Sequence, residues 1–230
     1  MNICIIPARG GSKRIPRKNI REFNGKPIIA YSIEVALGCD FIDKVIVSTD
    51  DKEISQVAIK YGASVPFVRP RELSDDFTAT NPVVMHAVDW MESNGYEIES
   101  VCCLYPTAPL ISSNSLTSSY KKFIKNKADF CFSVTSFPFP IQRAVKVVND
   151  RVVLFYPEYY YSRSQDLEDA FHDAGQFYWG NKQSFMVSNP LLLDNVVSYV
   201  LPRYLVQDID TLEDWKMAEL MYQVLQQMDK

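Results

Sequence analysis

The chain has 230 residues, 47% of them hydrophobic, with 24 Lys and Arg against 28 Asp and Glu and a formal net charge of −4. That length suits one α/β domain with a sizeable core, and the acidic balance excludes nucleic acid as the expected partner, because the basic residues gather in one local patch rather than a stripe. No run approaches the roughly 18 uninterrupted apolar residues of a membrane span, and the first arginines follow an apolar run instead of preceding it, unlike a secretory signal, so a cytoplasmic protein is expected.

Residues 3–6, apolar and partly β-branched, read as a buried first strand. The chain then breaks into Ala8-Arg-Gly-Gly-Ser-Lys-Arg14 and Ile15-Pro-Arg-Lys-Asn19. Six basic side chains (Arg9, Lys13, Arg14, Arg17, Lys18, Arg21) and no acidic one fall in the first 21 residues. Gly10 and Gly11 allow backbone N–H groups to approach an anion closely. The spacing matches neither the P-loop nor the dinucleotide fingerprint. A merely solvated basic loop is the alternative, but strand, glycine pair and Ser-Lys together favour a phosphate-rich guest.

Residues 27–37 read as a helix stopped by Gly38, with Pro27 in the first turn where its missing N–H is no loss. A second strand at 44–48 leads to a helix at 53–61, stopped by Gly62, and to a short third strand at 65–68. A helix at 80–93, a strand at 101–105, a helix at 115–125 and a strand at 130–135 follow. This alternation predicts a three-layer α/β/α architecture, a mostly parallel sheet with helices on both faces. Ligands of such sheets bind beyond the carboxyl ends of the strands. The glycine turn, Ser48-Thr49-Asp50 and Pro106-Thr107-Ala108-Pro109 all fall at such ends and should be neighbours.

The pattern changes after Ser136. Residues 144–148 and 151–155 suggest a hairpin about Asn149-Asp150, followed by Phe155, Tyr156, Tyr159, Tyr160 and Tyr161. Residues from about 137 to 175 read as a small inserted lobe outside the sheet. Its aromatics suit a core, a substrate wall or a subunit interface, the last being preferred because so small an excursion can hardly bury them alone. The chain rejoins the sheet at 196–200 and ends in a helix from Leu212. That helix carries Leu212, Trp215, Ala218, Tyr222 and Leu225 on one face, with Thr211 and Asp214 as a capping pair.

The acidic counterpart of the basic loop is Gln207-Asp-Ile-Asp-Thr211. In an extended segment Asp208 and Asp210 point the same way and Ile209 faces the core. Either Asp210 or Thr211 caps the helix that follows, or the two carboxylates share a cation. Mg²⁺ favours one or two carboxylates completed by water and phosphate oxygens. Asp50 and Asp51 read as helix caps, and His86 as structural. His172, in a polar gap before Gly175, suits substrate contact and packing equally. Five cysteines lack metal-ligand spacing and read as reduced thiols, with Cys4, Cys102, Cys103 and Cys131 buried in apolar runs.

The segment Ile5-Ile-Pro-Ala-Arg-Gly-Gly-Ser-Lys-Arg-Ile-Pro-Arg-Lys-Asn19 resembles the nucleotide loop of the cytidylyltransferases that activate acidic eight- and nine-carbon sugars. The similarity continues through Val47-Ser-Thr-Asp50, Arg69-Pro-Arg-Glu-Leu73, Tyr105-Pro-Thr-Ala-Pro-Leu110 and Asp208-Ile-Asp-Thr211, in family order across nearly the whole chain. It implies a Rossmann-like fold with CTP at the strand ends, and commonly a homodimer. The sugar's anomeric hydroxyl would attack the α-phosphate and release pyrophosphate. By resemblance, Ala8, Arg9, Gly10, Gly11, Ser12 and Lys13 hold the triphosphate, with Lys18 and Asn19 near the phosphates and sugar. Arg69, Thr78 and Thr80 would lie near cytosine and ribose, and Asp208 and Asp210 would bind Mg²⁺. Arg9, Lys13 and Lys18 are the expected catalytic residues.

One stretch departs from the sialic-acid enzymes, which carry Arg-Pro-Asn-Gly where this chain has His172-Asp-Ala-Gly175. Residues 161–180 are instead similar to the pseudaminic-acid branch of the family. Arg163, Gln165, His172 and Gln176 are expected at the sugar, Arg163 pairing with its carboxylate. Phe171, Phe177 and Tyr178 are expected to border a pocket for the sugar's methyl terminus. CMP-pseudaminic acid is the expected product, with the sialic and legionaminic sugars as alternatives. A nucleotide-binding module without turnover is the rival class, disfavoured by the acidic pair.

Overall fold

Strand β1 (Asn2–Pro7) runs through the middle of the protein with Ile3, Cys4, Ile5 and Ile6 fully buried. A run with no alternation of apolar and polar residues is what a strand covered on both faces requires. The computed structural model describes residues 1–187 and 189–228. A two-stranded ribbon, β2 (Glu22–Phe23) and β3 (Lys26–Pro27), leads into helix α1 (Ile28–Leu37). Then come β4 (Lys44–Ser48), α2 (Lys52–Lys60), α3 (Thr80–Ser93), β5 (Ser100–Leu104), α4 (Ser113–Lys125) and β6 (Phe130–Ser136). A separate hairpin, β7 (Val145–Val148) with β8 (Arg151–Leu154), precedes the long strand β9 (Phe171–Gly180). Helix α5 (Lys182–Met186), β10 (Val196–Val200) and α6 (Leu212–Met228) complete the chain order.

The main sheet has the order β10-β6-β9-β5-β1-β4. Strands β4, β1 and β5 are parallel neighbours, as are β6 and β10, whereas β9 slots between β5 and β6 antiparallel to both. The result is a mostly parallel, Rossmann-like sheet. One face packs Cys4, Ile6, Cys102, Leu104, Phe177 and Trp179 against apolar residues of α1, α2 and α4. The other packs Ile3, Ile5, Val101 and Cys103 against Val84, Val88 and Met91 of α3 and Phe185 of α5. A third cluster joins Ile15, Phe23, Ile28, Tyr31, Ile209, Trp215 and Ala218. This cluster explains a placement the sheet alone does not. Ile15 anchors the basic loop and Ile209 the acidic segment, so burying both side chains draws Arg14 and Lys18 towards Asp210. All five cysteines are free and buried.

Four features differ from the sequence reading. Residues 65–68 are not a strand: the chain touches β4 only through a bridge from Ser64 to Ile46, and Pro66 has no N–H to continue a ladder. Pro27 ends β3 and precedes α1 instead of opening it. The segment outside the main sheet covers residues 137–170, not 137–175, because β9 begins at Phe171 and runs for ten residues. Asp173, Ala174 and Gly175 hid that strand, since all three are poor strand formers. Finally, Leu212 is exposed, and the buried stripe of α6 is Trp215 and Ala218 with Tyr222 packed beside them. The hairpin turn is as expected, with Asn149 and Asp150 both at positive φ as a primed turn demands. Thr211 and Asp214 do form a reciprocal cap, with Asp214 N–H to Thr211 Oγ1 at 3.2 Å and Thr211 N–H to Asp214 Oδ2 at 2.8 Å. Among the described residues no helix is long and apolar enough to cross a membrane.

Candidate active site

The carboxyl ends of β1 and β5 open into a cleft of about 300 Å³, and the end of β4 is tied to it by Gly10 N–H to Asp50 and Arg69 to Ser48 O. Arg9, Ser12, Lys18, Asn19, Arg69, Thr78 and Thr80 all line it, alongside Asp75, Asp76, Tyr105 and Thr107. The three strand-end segments therefore do meet. Ala8 is buried, and its N–H donates to Ser48 O at 2.9 Å, tying β1 to β4 just below the cleft. Asn19 is buried too, and its Nδ2 donates to Arg9 O at 2.9 Å, holding the loop's curve. Gly10 lies against Asp51, whose Oδ2 would be 2.8 Å from a Cβ placed there, while Gly11 faces open space. Only the first glycine is required by close approach.

Every cation of the loop faces an acidic partner or a carbonyl. Arg9 Nη1 lies 2.9 Å from Asp76 Oδ1, and Lys13, itself exposed, contacts the other oxygen of Asp76. Arg14 Nη2 is 2.6 Å from Asp210 Oδ1. Lys18 Nζ donates to Ile209 O at 2.6 Å and lies 3.7 Å from Asp210 Oδ1. Arg17 takes a left-handed conformation (φ 56°) and pairs bidentately with Asp51 at 2.5 and 2.9 Å, reaching Glu53 as well. Asp51 also caps α2 by accepting the Ile54 N–H at 2.9 Å. Asp50 does not cap: its Oδ1 accepts the N–H of Gly10 at 2.9 Å. That amide is thus held by a carboxylate of β4's end, which fixes the first turn of the loop.

Burial sets the proton affinities. Arg69 is 5% exposed, donates to Ser48 O at 2.7 Å, and loss of solvent lowers its pKa to about 10. Its Nε has no hydrogen-bond partner among the described residues. Lys18 is lowered chiefly by lost solvation, with Asp210 and Asp208 opposing the shift. Asp208 is raised, first by lost solvation of its carboxyl and then by the charge of Asp210, although much of the residue remains exposed. Ile209 between them is fully buried, so the alternation expected from the sequence is present. Both carboxylates sit beside the cleft through Lys18. Among the described residues no group of three or more His, Cys, Asp or Glu side chains is placed to hold a metal.

The sugar-contact residues expected from sequence are not brought together. Arg163 is exposed and pairs with Asp166 at 2.7 and 3.2 Å, and Gln165 is exposed beside it. His172 is exposed, its ring edge-on to Phe137 at 4.9 Å. Gln176 is buried and donates to Ala174 O at 2.8 Å. Phe177 is fully buried in the core on the α1 face of the sheet. A different cavity of about 200 Å³ adjoins the first, sharing Thr80 and Tyr105. Its walls are Phe130, Tyr178, Phe185 and Leu191, with Asn81 and Asp173 as polar groups. Tyr178 OH donates to both oxygens of Asp173, at 3.0 and 2.9 Å. Tyr105 OH lies 3.1 Å from Thr80 Oγ1. Desolvation raises both phenols, so each stays protonated as a donor. Of these residues the sequence reading had named Thr80, Tyr178 and, within the stretch from Arg163 to Gln176, Asp173, and had quoted Tyr105 only as part of a family motif. The others lie far apart in sequence, and their signal was limited to polar residues interrupting apolar strands.

A basic strand-end loop, a buried arginine and an acidic pair meet at one edge of an α/β sheet, the class of fold whose ligands bind beyond the strand ends. The solved structure of a CMP-2-keto-3-deoxy-manno-octonic acid synthetase complexed with CTP superposes with a TM-score of 0.69, covering 96% of this chain and 98% of that one at 19% identity, which is a likeness of fold. The cytidylyltransferase family model matches residues 3–206, and the chain belongs to that family. A pseudaminic acid cytidylyltransferase of Campylobacter jejuni is 49% identical over 97% of both chains. A CMP-N,N'-diacetyllegionaminic acid synthase of Legionella pneumophila is 29% identical over 98% of this chain and 97% of its own.

Proposed function

We propose that the protein transfers the cytidylyl group of CTP to the anomeric hydroxyl of pseudaminic acid, giving CMP-pseudaminic acid and pyrophosphate. The observation that carries this reading is the convergence of Arg9, Lys18 and buried Arg69 on one strand-end cleft, in a chain 49% identical throughout to a relative of that name. In the reaction, charge grows on the α-phosphoryl oxygens and on the departing pyrophosphate. Arg9, Lys13 and the amides around Gly10 and Gly11 stabilise that charge more in the transition state than in the bound nucleotide. Arg69, Thr78 and Thr80, which line the same cleft, serve its nucleoside end. Asp208 and Asp210, flanking the buried Ile209 in an extended segment, are the residues that would hold a divalent cation, with Asp210 exchanging its contacts to Arg14 and Lys18 for it. Mg²⁺, when bound there, neutralises phosphate charge.

The acceptor fits the adjoining cavity, which keeps Asp173 of the 163–176 stretch, better than it fits Arg163, Gln165, His172 and Gln176. Phe130, Phe185 and Leu191 offer an apolar wall to a methyl or acyl group, and Asp173 an acceptor to an acylamino N–H. Two copies pairing through residues 137–170 would cover Val147, Val152, Phe155, Tyr160 and Tyr161, all exposed in one copy, and a homodimer working in the cytoplasm is the form we expect. Pyrophosphate release with CTP, Mg²⁺ and three acceptors (pseudaminic, legionaminic and N-acetylneuraminic acid) tests the proposal. A hydroxyl left unpaired in an apolar pocket costs about 1–3 kcal/mol, so pseudaminic acid should lead the sialic acid by ~10-fold or more. Parity or a reversed order defeats the acceptor assignment. CTP binding with no pyrophosphate from any acceptor would favour a binding module without turnover.

A further inference from the structure

Arg9 and Lys13 share one carboxylate, that of Asp76, and a preformed turn puts it there. Asp75 Oδ1 accepts the N–H groups of Phe77 and Thr78, at 2.9 and 2.7 Å, and the Thr78 hydroxyl at 2.7 Å. The same hydroxyl lies 3.1 Å from Glu72 O, and Arg9 donates to Asp75 O. Asp75 thus locks the turn so that its neighbour projects an anion between two cations of the cleft. Asp75, Asp76 and Arg9 line that cleft together with Ser12 and Arg69. Asp76 engages both cations with its two oxygens, as a phosphate group would.

We propose that Asp76 is an internal stand-in for a phosphate group, holding Arg9 and Lys13 and yielding them to the triphosphate by exchange. The proposal rests on the assignment of CTP to this cleft. Carboxylate and phosphate cannot occupy the same donors together, because like charges a few ångströms apart repel. A ligand must therefore bring more charge and more acceptor oxygens than Asp76 to displace it. A polyphosphate does so, whereas a single phosphate competes poorly. The carboxylate's return also speeds the departure of pyrophosphate. Asp76 in this way filters ligands by phosphate number without touching the base or the sugar.

Titration calorimetry of CTP, pyrophosphate and cytidine, in one Mg²⁺ buffer, tests this on the full chain. The proteins are the natural one, Asp76→Asn, Asp76→Ser, and Glu53→Gln, which removes the same charge from neighbouring Arg17. Releasing two exposed ion pairs should tighten CTP and pyrophosphate on the order of tenfold in both Asp76 variants. Cytidine should be unchanged, and Glu53→Gln should tighten neither phosphate ligand. Equal or weaker pyrophosphate binding in both Asp76 variants, while the natural protein still binds CTP, overturns the exchange role. Equal tightening by Glu53→Gln overturns it as well, reducing the effect to net charge. Failure of the natural protein to bind CTP overturns the nucleotide assignment beneath it.

Discussion

The two cavities meet at Thr80 and Tyr105 but are built on opposite principles. The nucleotide cleft is walled by loops, and its cations are held by partly exposed carboxylates that a ligand can replace. The adjoining cavity is walled by the sheet itself, through β5, β6 and β9, and its Tyr178–Asp173 pair sits among aromatic rings packed for stability. Charge changes in the first should alter turnover and leave the fold alone. Changes in the second should alter recognition and stability together, because the same side chains serve both.

The sharpest test on the cleft side is Asp210→Asn. Loss of one transition-state stabiliser costs about 10²-fold in turnover, whereas surface ion pairs such as those to Arg14 and Lys18 contribute only ~0–1 kcal/mol to folding. A kcat reduced by about 10²-fold with a nearly unchanged melting temperature is expected. Normal turnover would remove the acidic pair from the site. On the sheet side, Tyr178→Phe removes the hydroxyl that donates to both oxygens of Asp173 and leaves that exposed carboxylate the Gly175 N–H, a net loss of about 1 kcal/mol. The acceptor KM should rise roughly tenfold and melting should fall, with the KM for CTP unaffected. Equal effects on both Michaelis constants would mean that the two cavities are one.

A smaller contrast lies within the loop. Gly10→Ala places a Cβ against Asp51, and relieving such a clash costs ~1–3 kcal/mol. Gly11→Ala meets nothing and should stay within about 0.5 kcal/mol. Denaturant midpoints decide between them, and equal values would show that the loop bends freely away from α2.

The smallest effect is acid-dependent. Arg17 lowers the Asp51 carboxyl from 3.8 to about 2, so the pair stabilises the fold above pH 4 and is lost as pH falls towards 2. Asp51→Asn keeps a helix-capping oxygen but loses the charge. The natural protein should lead it by about 1 kcal/mol at pH 6, after allowance for solvent screening, and by nothing near pH 2. A lead that persists at pH 2 would assign it to the cap instead.

The cleft was more legible in the sequence than the adjoining cavity, of which only Asp173 and Tyr178 had been placed at the sugar, for a physical reason. Arg9, Ser12, Lys18 and Asn19 come from one turn, and a parallel α/β rhythm places strand ends at one edge, so local pattern sufficed. The adjoining cavity draws on Asn81, Tyr105, Phe130, Asp173, Tyr178 and Leu191. It exists only because β9 enters the sheet antiparallel, which no neighbouring residue announces. Gln176 and Phe177 were misplaced for the same cause: without the strand, the side of the sheet each faces is undefined. Arg163 was named for its charge, but its partner Asp166 three residues on satisfies that charge locally.

The five buried thiols have a practical consequence. Cys4 and Cys102 sit opposite each other on adjacent central strands, and burial raises the proton affinity of Cys102, Cys103 and Cys131, the last to about 12. A thiol reagent attacks only the thiolate and only where it can reach. The folded protein should thus resist alkylation, and the labelling that does occur should count openings of the central sheet. Mass spectrometry of a timed reaction would then read the stability of β1 and β5 directly, with the protein's own sulfur atoms as the clock.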